Sequence, residues 1–382
     1  MKNRIITFVL LAIVTLVLLL VVEGIAYAML GSKDIPTRFL FGKQSQTEAR
    51  LAKGGWQYSA IDPQLGYSHN LTSLHNNFDA SGRFEVLPGF LKYPNTLEGQ
   101  GDPFVVVALG GSTTDGTGKK VYGWPEVLQK IFNREGINAQ VYNGGVGGYA
   151  SSQELLKTLR DVLPMKPDLV MSLNGINDLG FMHNLPEHPY VHRYTDRTLR
   201  LVVHGDDSDS RFLPSTMRLI RIMSNKASAV EGEEMEVSLG PDITTEDVSI
   251  WERNVRMMHT ICQAEGAEYR CFLQPTMGVG EYNPTKEELQ MLDDTHIIKN
   301  YLSVTQQFYN TAQSMAAERP YITDMVNVFE GMSGIYRDSR HQTAEGVDFL
   351  AERIFDVIRD QPPFAVTPMP EFPADSIPAT AE

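Results

Sequence analysis

Four short segments of the chain carry the residue types that covalent acyl chemistry needs. Gly110-Gly111-Ser112-Thr113-Thr114-Asp115-Gly116 sets a hydroxyl in a glycine-flanked turn, and Asn143-Gly144-Gly145-Val146-Gly147-Gly148 supplies backbone donors with little side chain in the way. Asn174-Gly175-Ile176-Asn177-Asp178 offers a carboxamide, and Asp338-Ser339-Arg340-His341 puts an imidazole three residues after a carboxylate. A hydroxyl, a base with an acid nearby and donors for a developing oxyanion are the inventory of acyl transfer through a serine. Each segment alone has a plainer reading. A serine in a strand-to-helix turn is usually a cap, Asn177 alone is a turn residue, and Asp338 and His341 alone are surface turn and cap residues.

Other chemistries fit less well. Gly145-Val146-Gly147-Gly148-Tyr149-Ala150 matches the G-x-G-x-x-A dinucleotide fingerprint, which needs an acid ending the next strand to hold the ribose hydroxyls. That strand ends in Asn174, and Asp168 sits at its opposite end. A phosphate loop fails because Gly118-Lys119 is followed by Lys120 where Ser or Thr is required, and the upstream glycine position is Thr113. His183, His188 and His192 share a proline-containing loop, but their spacing fits no metal-ligand pattern. No metal or organic cofactor is expected.

These segments need a scaffold, and the sequence supplies one. From Phe104 onward short β-rich runs alternate with helical stretches, the texture of a parallel sheet with helices on both faces. Strands are expected at 104–109, 140–143, 168–174, 269–274 and 321–325. Helices are expected at 124–133, 151–163, 215–226, from Thr244 or Thr245 to before Gly266, at 295–318 and at 343–359. In an open parallel sheet the ligand site lies outside the carboxyl ends of the strands, where the four segments fall.

The chain has 382 residues, of which 42% are hydrophobic and 21% charged, so it is neither disordered throughout nor a disulfide scaffold. Against 33 Lys and Arg stand 47 Asp and Glu, a formal net charge of −14, which argues against a nucleic-acid partner. Met1-Lys2-Asn3-Arg4 precedes a run from Ile5 to Val22 that is apolar apart from Thr7 and Thr15, about the length that spans hydrocarbon. A cleaved signal is the rival reading, with Ala26-Tyr27-Ala28 as a small-x-small site. Either way Lys2 and Arg4 favour the cytoplasmic side, which puts the rest of the chain across the membrane. The expected organisation is an anchor or uncleaved signal over 1–31, a stalk and lead segment over 32–100, and one catalytic domain over 101–360. An acidic insertion at about 181–243 interrupts that domain, and a proline-rich flexible tail over 361–382 ends the chain. Cys262 and Cys271 are equally plausible as a pair or as packed thiols.

Taken together and in order, the four segments resemble the blocks of the SGNH, or GDSL-like, hydrolase superfamily of the membrane-anchored type. Gly111-Ser112-Thr113-Thr114 departs from the commoner Gly-Asp-Ser-Leu, and Asp62-Pro63-Gln64-Leu65-Gly66-Tyr67 looks like the lead segment of anchored members. The resemblance covers about 104–359 and implies a flavodoxin-like three-layer α/β/α sandwich around a five-stranded parallel sheet. It also implies Ser112 as nucleophile, His341 as its base, Asp338 as the orienting acid, and an oxyanion site made by the Ser112 and Gly148 N–H groups with the Asn177 carboxamide. The implied activity is hydrolysis of O-acyl esters, acetyl above all, on polysaccharide or envelope substrates, with an acylated small molecule, glycan or lipid as partner. An O-acyltransferase of the same fold and a non-catalytic binding or assembly protein on the same scaffold are the alternatives.

Overall fold

The computed structural model describes residues 2–30, 59–62, 64–69, 71, 83–117, 122–179, 216, 245–293 and 301–359; within 2–30 its side-chain placements cover 7, 10, 11 and 13–26. The chain divides into two compact units, one of 1–77, 180–242 and 296–304, the other of 78–179, 243–295 and 305–382. The 215–226 helix apart from residue 216, the rest of the acidic insertion, His183, His188, His192 and the 361–382 tail lie outside the described residues.

In the first unit α1 (Lys2–Leu30) is a 29-residue helix whose described leucines, isoleucines and valines, Leu19 apart, are exposed around its circumference. A helix that is apolar all round has no single face to bury against a soluble core. Its acid, Glu23, accepts bonds from the Thr216 N–H at 2.9 Å and hydroxyl at 2.8 Å. Among the described residues no helix is long and apolar enough to cross a membrane, the side chains of α1 being described without a break only from 13 to 26. Strands β1 (Ser59–Asp62) and β2 (Gly66–His69) form a hairpin whose turn is held by Asp62, its Oδ1 accepting the N–H groups of Gln64 and Leu65.

The second unit is built on a sheet. Its strands are β3 (Glu85–Leu87), β4 (Phe90–Lys92), β5 (Phe104–Gly110), β6 (Ala139–Asn143), β7 (Leu169–Asn174), β8 (Glu268–Leu273) and β9 (Ile322–Asp324), in the order β3-β4-β6-β5-β7-β8-β9. The central strands β5 and β7 are almost wholly buried, as their Val- and Leu-rich runs require when both faces are covered. Five strands, β6-β5-β7-β8-β9, run parallel in the flavodoxin-like order.

The five-stranded, wholly parallel sheet needs correcting: the sheet has seven strands and is mixed, because β3 and β4 form a hairpin antiparallel to the β6 edge. This hairpin lies in the segment read as a stalk. Its strands are three residues each, too short for alternation to register, yet Phe84, Val86, Phe90, Leu91 and Tyr93 are all buried. The buried Lys157 fastens it, donating from Nζ to the Gly89 carbonyl at 2.9 Å and lying 4.6 Å from the Phe90 ring centre.

Following β5 comes the single turn α2 (Ser112–Asp115), then α3 (Trp124–Glu135), which Pro125 starts without losing a hydrogen bond and Gly136 stops. The expected 151–163 helix is α4 only over Ser151–Lys157. It continues as a π turn, Thr158–Val162, and a 3-10 turn, Leu163–Met165, because the Thr158 hydroxyl takes the Glu154 carbonyl at 2.7 Å and Pro164 has no N–H to give. Helices α5 (Thr245–Ala264), α6 (Lys286–Asp293), α7 (Tyr301–Ala317) and α8 (Ala344–Arg359) follow; α7 lies within the helix expected at 295–318, of which 295–300 fall outside the described residues, and α6 precedes it. The buried apolar face of α8 packs on α3, with Phe132 and Phe355 edge to face.

Cys262 and Cys271 are buried and unpaired. Burial pushes the Cys262 thiol up to about 12 and the Cys271 thiol up as well, so both act as packed hydrophobes.

Candidate active site

The strand order turns back between β5 and β7, and the crevice at their carboxyl ends is the expected binding place in such a sheet. Ser112 follows β5 and Asn177 follows β7, so the fold delivers both to that crevice. Ser112 is exposed while Thr113 and Thr114 beside it are buried, which holds the turn rigid and leaves only the serine presented. Thr114 accepts from Trp124 Nε1 at 3.0 Å. Asn143 Nδ2 donates to the carbonyls of Thr114 at 2.7 Å and Asp115 at 3.1 Å, while its Oδ1 accepts from Gly145 N–H at 2.8 Å. Asn143 thus ties the serine turn to the glycine loop, a positioning role that spacing alone did not reveal.

From the other end of the sequence, 229 residues away, His341 brings its Nε2 to 2.6 Å from Ser112 Oγ. Its Nδ1 lies 2.7 Å from Asp338 Oδ2 and 2.9 Å from Oδ1. Asp338 Oδ1 also accepts the backbone N–H groups of Arg340 and His341, each at 2.9 Å. Burial works to raise the Asp338 carboxyl, but the bonds from His341 and the two N–H groups outweigh it and lower it to about 2. An ionised Asp338 on Nδ1 favours the tautomer whose Nε2 is free to accept the serine proton.

The loop bearing this pair is braced from below by Glu288, buried to 2% exposure. Its carboxylate accepts from the Tyr282 hydroxyl and from the N–H groups of Thr285, Gly334 and Tyr336 at 2.6 to 3.1 Å. Burial disfavours its charge, yet these donors hold the carboxyl below its usual range.

The glycine loop and the turn after β7 pack beside the serine turn. Gly148 has φ 83°, in the region where a side chain is strained, and a Cβ on the preceding Gly147 would stand 3.9 Å from Ser112 Cβ. Asp115 Oδ2 accepts Gly147 N–H at 2.9 Å, clamping the loop to the serine turn. Asn177 Nδ2 donates to the Tyr149 carbonyl at 2.8 Å. A Cβ on Gly111 would lie 2.2 Å from that Nδ2, so the second glycine in Gly-Gly-Ser is what lets the carboxamide close on the serine turn. Ser112, His341 and Asp338 therefore form one hydrogen-bonded chain, with Gly148 and Asn177 on the segments packed against it.

Behind Asn177, Asp178 is buried and accepts the Ser151 hydroxyl and N–H, while Asn254 Nδ2 donates to Ser151 Oγ at 3.0 Å. These partners lie 27 and 103 residues off along the chain, so no local pattern announces them. Burial raises Asp178 to about 6, the Ser151 bonds only partly offsetting it. Between about pH 4 and 6 the folded chain then keeps a proton that the unfolded chain has released, so this group costs stability as pH rises, by about 3 kcal/mol in all. Asp178→Asn keeps an acceptor and cannot ionise. Its unfolding free energy relative to the unsubstituted protein is expected to climb by that order between pH 4 and 7.5 in urea titrations; a pH-independent difference would refute this account.

Residues 108–296 match the family model described as the GDSL-like lipase/acylhydrolase family. Just under half of the chain, 189 of its 382 residues, is thus similar to this family. The match gives ester hydrolysis as the activity class, and it begins four residues before Ser112. The match ends before Asp338 and His341, which geometry alone brings in. Solved structures match the chain at low identity. The acetylxylan esterase Axe2 from Geobacillus stearothermophilus is 14% identical at a TM-score of 0.40, over 67% of this chain and 94% of its own. The acetyl xylan esterase AlAXEase is 14% identical at 0.39, over 66% and 99%. An acylhydrolase from Bacteroides fragilis is 15% identical at 0.37, over 68% and 90%. No curated protein matches the chain. Among the described residues no group of His, Cys, Asp and Glu could hold a metal ion.

Proposed function

We propose that this GDSL-like hydrolase is a membrane-anchored serine esterase that works outside the cytoplasm and removes O-acyl groups, acetyl foremost, from an envelope glycan or lipid. The hydrogen-bonded chain from Ser112 through His341 to Asp338 carries the proposal. His341 Nε2 takes the proton of Ser112 as Oγ attacks the ester carbonyl carbon. The oxyanion meets the N–H groups of Ser112 and Gly148 and the Asn177 carboxamide. His341 then gives the proton to the departing alkoxide, leaving an acyl-serine. Water, deprotonated by the same imidazole, attacks that acyl group, and the acid leaves as the serine regains its proton.

A fluorophosphonate probe is expected to add once per chain, with peptide mass spectrometry placing the adduct on Ser112. Folded protein that stays unlabelled would defeat the proposal. Anchoring rests on the apolar helix α1 and on Lys2 and Arg4 at its start. The full chain is expected to stay in the membrane pellet through high salt and alkaline carbonate washes. Release by either wash would disprove the anchor.

A further inference from the structure

We infer that the alcohol portion of the natural ester carries a negative charge, a carboxylate or a phosphate, and that Arg337 selects it. The inference rests on the reading of Ser112 and His341 as nucleophile and base. A cleft of about 180 Å³ opens beside them, lined by Thr113, Thr117, Tyr122, Arg337 and Val347 among others. It takes in Ser112 and His341 but neither Gly148 nor Asn177. The carbonyl oxygen must face the oxyanion donors, whereas the departing alkoxide must face the imidazole that protonates it. A cleft on the imidazole side therefore receives the alcohol.

The polar groups of this cleft are largely committed to the protein itself. Asp115 holds Gly147 N–H at 2.9 Å, the Tyr122 hydroxyl donates to Asp348 at 3.0 Å, and His341 is engaged by Ser112 and Asp338. Arg337 differs. Its guanidinium is exposed and makes no hydrogen bond or ion pair among the described residues. Its backbone, in contrast, is fixed relative to the base: Arg337 N–H donates to the His341 carbonyl at 2.9 Å, and its neighbour Tyr336 is bridged to Gln342 and bonded to Glu288. A guanidinium tethered to the catalytic loop presents a planar fork of donors suited to a carboxylate or phosphate. In a chain of net charge −14, whose overall field repels anions, a cation at the mouth of the site is what would admit one selectively.

The test uses the full chain in detergent and three acetyl esters: a neutral methyl glucoside, the matching methyl glucuronoside, and glycerol phosphate. One anionic ester is expected to exceed the neutral one in kcat/KM by about 10- to 100-fold, the range for a hydrogen bond to a charged group. Which of the two does so separates carboxylate from phosphate. Arg337→Ala is expected to collapse that ratio towards one, Arg337→Lys to restore part of it, and added salt to shrink it. Equal rates on all three esters, or an Arg337→Ala loss of the same factor on each, would overturn the inference. In both cases hydrolysis of the neutral ester would leave the serine-esterase reading standing. No hydrolysis of any ester together with an unlabelled Ser112 would fail both.

Discussion

Ser112→Ala and His341→Ala are each expected to lower kcat on an acetyl ester by about 10³-fold or more, and the double variant to be hardly worse than either. The reason is the 2.6 Å contact between Oγ and Nε2: without the imidazole the hydroxyl is a poor nucleophile, and without the hydroxyl the imidazole has no proton to move. Ser112 is exposed and its replacement empties no core, so folding is not at stake. Asp338→Asn adds a sharper probe. With the carboxyl held near about 2, the acid stays ionised through the whole working pH range, so its removal should cost rate without moving the acid limb of the pH profile through its own titration. Steady-state kinetics with matched circular dichroism decide the matter. Single variants that lose only a few-fold, or losses that multiply in the double variant, would mean the three residues do not act as one unit.

Much of this site was legible because each piece is announced locally. Ser112, Asn177 and the Gly148 loop follow strands whose apolar runs are unmistakable, and Asp338 lies three residues before His341. The five parallel strands fell within a residue or two of their expected ends for the same reason. What escaped was whatever depends on partners distant in sequence or on elements too short to show a period. The β3-β4 hairpin has three residues per strand and reads as a polar lead segment, although it extends the sheet. Asn143 reads in sequence only as the end of a strand and the start of the glycine loop, yet its amide reaches across the serine turn. Likewise Ser151 read only as a helix start, and its bond to Asp178 crosses from the end of one crossover to the next. Glu288 shows only the local Thr285-x-x-Glu288 capping pattern at the start of α6, while Tyr282, Gly334 and Tyr336 are brought to it by the fold.

Gly111 offers a second large effect, because it tests the oxyanion site without touching a donor. Removing a side-chain donor to the oxyanion costs about 10²- to 10³-fold in kcat, and Asn177→Ala is expected to fall in that range with little change in KM. Gly111→Ala should reach the same loss by a different route. Its φ is −87° and its ψ −147°, so no left-handed conformation stands against alanine. The new Cβ would instead lie 2.2 Å from Asn177 Nδ2 and 3.3 Å from the Tyr149 carbonyl that receives this amide. The carboxamide is the part that can move, and moving it both breaks its bond to Tyr149 and takes its second hydrogen away from the oxyanion. If that is the whole effect, Gly111→Ala combined with Asn177→Ala should be no slower than Asn177→Ala alone, since the displaced group is already gone. A double variant whose losses multiply would instead show that Gly111→Ala disturbs Ser112 itself, and the second glycine would then serve the nucleophile turn and not the carboxamide.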